Sequence, residues 1–159
     1  MNLTDIAKQH YDWVERMGWH NKTVLESLAL IASEIGEAAA ECMGDTPTAA
    51  YGEELADIVL RTADLAQVHN IDLATVIPSA ESTWADPSLR GSFAELMIDM
   101  AQWVNTARGV ELDDQFAQAM GRVMRRVLDM ASRAGVDLEA QVRHKMEVNA
   151  ARGTRGRRI

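Results

Sequence analysis

Apolar residues recur at every third or fourth position along almost this entire chain, and no stretch alternates apolar with polar as a half-buried strand would. That single periodicity confines the fold to the all-α class, a bundle of six to seven helices. The 159 residues are enough for one domain with its own hydrophobic interior. Composition agrees: 47% of the residues are hydrophobic but only 5% aromatic, a mixture that suits helices better than strands.

Capping residues divide the pattern. A first helix is expected from Thr4 to Met17, stopped by Gly18. A second runs from Lys22 to Met43, capped by Asn21 and closed by Gly44. Thr46 and Pro47 read as the cap and first residue of a third, reaching His69. Asp72 caps a short helix to Ile77, and residues 78–91 form the one linker, with two of the three prolines. Ser92 caps a helix to Thr106, another runs from Asp113 to Ala134, and Asp137 caps the last, to Ala151. Trp103 and the methionines are expected in the core.

A shift of 65 residues lays part of the chain on itself. Ile71-Asp72-Leu73 falls on Val136-Asp137-Leu138, Asp64 on Asp129, and Tyr51, Leu55, Ile58 and Ile77 on Phe116, Met120, Val123 and Val142. The expected organisation is one all-α domain over 1–159 with an internal pseudo-duplication. The first repeat covers about 22–77, a degenerate second about 92–152, and a basic tail follows at 153–159.

Charge is uneven. Residues 121–159 hold ten Lys and Arg against four acids, whereas the first 120 hold six against twenty, giving −8 overall. Such asymmetry fits a nucleic-acid arm, or a site where cations and carboxylates face one ligand. The net negative charge, and the absence of aromatics among the basic residues, make nucleic acid the weaker reading. Cys42 stands alone, so no intramolecular disulfide forms. Neither a secretory signal nor a membrane span is visible, and a cytoplasmic protein without membrane partners is expected.

The residues that demand explanation are acids. The second helix is apolar or small almost all round, yet it carries Glu34, Glu37 and Glu41 on one stripe and no Lys or Arg between Lys22 and Met43. The third sets Glu54 and Asp57 among Leu55, Ala56, Ile58, Val59 and Leu60, with Arg61 one turn on. A solvated acidic face would usually interleave bases, and partly buried carboxylates are costly unless cations neutralise them. Four hard oxygen ligands suit magnesium, or manganese in its place. A di-iron bundle would need Glu three residues before a histidine, and none of His10, His20, His69 or His144 has one.

At these residues the chain resembles the all-α NTP pyrophosphatase superfamily, the MazG-type enzymes, whose mark is E-E-x-x-E followed by E-x-x-D. Here the pattern stands as Ser33-Glu34-Ile35-Gly36-Glu37, sixteen residues, then Glu54-Leu55-Ala56-Asp57. Similar proteins continue with a helix carrying K-x-x-x-N-x-x-R, found here as Lys145, Asn149 and Arg152. Two departures stand out. Ser33 replaces the first glutamate, and the basic helix arrives two helices late, Ala80, Trp84 and Pro87 occupying its expected place.

The 65-residue shift pairs Glu34 with Asp99, Glu37 with Gln102, Glu54 with Ala119 and Asp57 with Arg122. The expectation is a single composite site, metal from the first half and phosphate-binding cations from the second. The resemblance implies hydrolysis of a nucleoside triphosphate to monophosphate and pyrophosphate, with magnesium on Glu34, Glu37, Glu54 and Asp57. Glu34 or Glu37 would be the base, Lys145, Asn149 and Arg152 would bind substrate, and the chain would form a homo-oligomer, a dimer. Trp13, Trp19, His20 and Lys22 either cover a base or simply pack. The alternative is a helical binding or adaptor protein that has lost catalysis.

Overall fold

The computed structural model describes residues 1–21, 23–44, 46–109 and 111–152. Among them are seven helices and no strand: α1 (Leu3–Met17), α2 (Val24–Ala40), α3 (Tyr51–Val68), α4 (Leu73–Val76), α5 (Leu89–Thr106), α6 (Asp114–Arg133) and α7 (Leu138–Arg152). The all-α bundle is as the periodicity requires. No helix among the described residues is long and apolar enough to cross a membrane.

Several helix ends differ from the sequence expectation, each for a local reason. Lys22, the expected start of α2, lies outside the described residues, as do Asp45, Val110 and the basic tail 153–159. Thr23 rather than Asn21 caps α2: its hydroxyl accepts from Glu26 N, and the Glu26 carboxylate accepts from Thr23 N, a reciprocal capping box. Asn21 instead donates to Ser27 Oγ at 3.0 Å. Helix α2 ends at Ala40, because Thr48 binds back to Glu41 through both backbone N–H and hydroxyl. The chain turns until Tyr51, so Thr46 and Pro47 do not begin α3. Ser88, not Ser92, caps α5 by accepting from Gly91 N. Ser92 is buried one turn inside, its hydroxyl on Ser88 O.

Helix α3 is the centre of the bundle, packed by α1 and α2 on one side and by α6 and α7 on others. Its Leu55, Ala56, Ile58, Val59, Ala63 and Ala66 are fully buried. Tyr51, Phe93, Trp103 and Phe116 form the aromatic part of one continuous core. Four methionines join it, at 100, 120, 124 and 130. Met43 and Met97 do not, being 67% and 43% exposed in the turn after α2 and on the outer side of α5.

Corresponding features recur 65 residues apart. Thr23 and Ser88 cap α2 and α5. Asn70 and Gly135 both take left-handed backbone, φ 55° and 68°, to leave α3 and α6. Ile71 N then bonds to Ala66 O at 2.8 Å, and Val136 N to Ala131 O at 2.9 Å. The short α4 lies on α6, and the long α7 on α3. The crossing of α4 and α6 is close enough that a Cβ on Gly121 would fall on the Val76 carbonyl.

Candidate functional site

Four helices enclose a cleft of about 460 Å³. Helix α2 contributes Glu34 and Glu37, α3 contributes Glu54, Asp57, Arg61 and Asp64, and α7 contributes Lys145, Asn149 and Arg152. The i, i+3, i+7 and i, i+4, i+7 spacings on α3 and α7 keep each set on one side of its helix. All seven site residues named from sequence therefore line one cavity, although the three on α7 begin nearly ninety positions after the last acid.

Within the cleft, Glu34, Glu54 and Asp57 each place one carboxylate oxygen within 4.8 Å of the others. Glu34 is only 6% exposed. Glu37 stands apart from this trio: it is exposed on the cleft wall, where Ser33 Oγ lies 3.4 Å from its Oε1. Burial pushes the carboxyl pKa values of Glu34, Glu54 and Asp57 upward, and mutual repulsion adds to it. Arg61 and Lys145 oppose that rise.

Those two cations are already engaged. Arg61 Nε lies 2.5 Å from Glu34 Oε1, and Lys145 Nζ lies 2.6 Å from Asp57 Oδ2 and 4.0 Å from Glu53. Desolvation works against the Lys145 charge, but Asp57, Glu54 and Glu53 outweigh it, and its pKa is held above the usual lysine range. Converging hard oxygens at these separations fit a divalent ion such as magnesium, which keeps much of its own water. Glu34, Glu54 and Asp57 are the residues that could hold it.

Part of the cleft lining is aromatic. Trp13 and Trp19 meet edge to face at 4.9 Å, and His10 stacks on Trp13 at 5.7 Å. The Trp13 Nε1 is buried without a hydrogen-bond partner. Burial, aided by Arg61 and His20, lowers the His10 pKa to about 4, so its ring is neutral at physiological pH. His20 sits outside the lining, between Glu15 at 2.7 Å and Asp64 at 3.4 Å. Asp64 and His10 also line the cleft, and neither is among the site residues expected from the sequence. Extending the Glu54–Asp57–Arg61 stripe by one turn finds Asp64, whereas nothing local marks His10.

The positions 65 residues on are built differently. Asp99 and Arg126 form an ion pair that matches Glu34 and Arg61. Around it, residues 82–86 bond to the helices. Ser82 N donates to Asp129 Oδ2 at 2.7 Å, Arg126 Nη1 to Thr83 O at 3.1 Å, and Ala85 N and Asp86 N to Glu95 Oε1. Trp84 lies under both Arg126 and Arg133, each 4.7 Å from its ring centre. Comparison with protein-family models, curated proteins and solved structures finds no match for this chain.

Proposed function

We propose that the chain is a magnesium-dependent nucleotide pyrophosphohydrolase, splitting a nucleoside triphosphate into monophosphate and pyrophosphate. One observation carries the reading: converging carboxylates of α2 and α3 share a cleft with Lys145, Asn149 and Arg152 of α7. A triphosphate needs both its cations and its metal ligands on one surface.

In this mechanism Glu34, Glu54 and Asp57 would hold the metal. Magnesium would supply charge neutralisation and an acidified water. Glu37, exposed beside the trio, takes the proton as the water oxygen bonds to the α-phosphorus, and Glu34 is the other candidate. The bond from the α-phosphorus to the bridging oxygen breaks, and pyrophosphate leaves with that oxygen. Arg152 grips phosphate as a fork and Lys145 as a point charge. Asn149 reaches base or sugar, and Trp13 and Trp19 wall the base end. Composite construction from two related halves belongs to the same proposal, as does assembly into a homodimer, which sedimentation would test.

The test is a panel of canonical, deoxy and modified triphosphates with magnesium, scored for monophosphate and pyrophosphate. Turnover abolished by Glu54→Ala supports the reading, and none with any substrate rejects it. One observation favours a non-catalytic binding protein: Arg61 and Lys145 already neutralise two of the three clustered acids. Metal or nucleotide binding without turnover would support that alternative.

A further inference from the structure

Two features of the cleft compete. Two of the three carboxylates that would hold a metal, Glu34 and Asp57, are paired with Arg61 and Lys145. A divalent ion that takes these carboxylates competes with both cations for the same groups. Ion and cation would also repel each other at such short range. The repulsion is relieved if a cation leaves as the metal arrives.

Resting on the metal-site reading above, we propose that Lys145, with Arg61, is an exchangeable counter-ion. It neutralises the carboxylates of the metal-free protein and is released into the cleft when a divalent cation binds, where it becomes a phosphate ligand. Lys145 suits the role for three reasons. Its ammonium sits on a flexible four-carbon stem, unlike the planar fork of arginine. It is docked from α7, a different helix from the acids it neutralises. Its neighbours on the same stripe, Asn149 and Arg152, also line the cleft, so a released amine joins groups able to bind phosphate.

The consequence is coupling. Metal frees the phosphate-binding cation, and phosphate, by holding that cation away from Asp57, favours metal to the same factor. Removing the lysine therefore has opposite effects on the two ligands, and metal makes its amine more accessible, which a lysine that stayed fixed on Asp57 would not show.

The experiment titrates Mn²⁺ alone into the intact protein, following free Mn²⁺ by electron paramagnetic resonance. Lys145→Met is expected to bind Mn²⁺ about tenfold more tightly than the wild type, while inorganic phosphate binding weakens. Equal or weaker Mn²⁺ binding by a folded Lys145→Met overturns the proposal but leaves the metal site standing, provided the wild type binds Mn²⁺ and Glu54→Gln does not. No Mn²⁺ binding by the wild type overturns both. A second measurement needs no variant. Acylation of the Lys145 amine in the wild type, read by peptide mass spectrometry, should rise several-fold when Mg²⁺ is added, and an unchanged or lower rate overturns the exchange.

Discussion

The α2–α3 and α5–α6 pairs carry the same buried ion pair, Glu34 with Arg61 and Asp99 with Arg126, yet the first borders the cleft while the second is bonded to the segment 82–86. The difference lies in what surrounds the pair. Beside Glu34 stand Glu54 and Asp57, which compete for positive charge. In the other half the corresponding positions are Ala119 and Arg122, and Glu95 and Asp129 are satisfied by backbone N–H groups of 82–86. A carboxylate near an arginine thus says little by itself. Surplus negative charge left without a fixed partner is what distinguishes a place to bind something from a place that is finished.

The sharpest way to break this comparison is to neutralise matched positions. Asp57→Asn should cut pyrophosphate release by roughly 100-fold or more, while Arg122→Ala should leave it within about twofold. Equal losses would mean that both halves serve the site. Next in size is the helix crossing. Gly121→Ala puts a Cβ on the Val76 carbonyl and should cost about 3 kcal/mol in urea unfolding, whereas Ala56→Gly, at the matching position of α3, should cost about 1 kcal/mol.

A third contrast uses pH. His10 is neutral when folded, with its pKa lowered to about 4, while the position 65 residues on is Thr75, which does not titrate. The unfolded chain binds the proton more readily, so this contribution is complete above the ordinary histidine pKa and is lost as pH falls toward 4. Between pH 7 and 5 the wild type should lose about 2 kcal/mol relative to His10→Gln. A parallel stability profile for the two proteins would refute it. The smallest expected effect concerns the tryptophans. Trp84→Ala removes a ring held by two guanidinium groups and should destabilise by about 1.5 kcal/mol without changing turnover. Trp19→Ala, at the cleft, should weaken nucleotide binding more than it lowers the melting temperature.

Much of this arrangement was legible in the residues. Three-and-four spacing marks helices whatever their partners, and the acids of α2 and α3 stood out because their surroundings are apolar. Helix ends were less legible where long-range bonds decide them: Thr48 reaching back to Glu41 delays α3, which no cap signal near Pro47 reveals. Glu37 shares a stripe with Glu34, but one helical turn moves it from the buried side to the exposed wall. The pairing of Lys145 with Asp57 depends on α7 crossing α3, a contact that spacing along the chain does not encode.

Helix α7 also bears on timing. Its only buried side chains, Leu138 and Val142, lie in its first half, with Met146 partly covered. Beyond them it is tied to the bundle by the Lys145–Asp57 pair. The last two turns should therefore exchange their amide hydrogens sooner than those of α3. A ligand gripping Asn149 and Arg152 would slow that exchange, and its own escape would be governed by how often this end of one helix lifts.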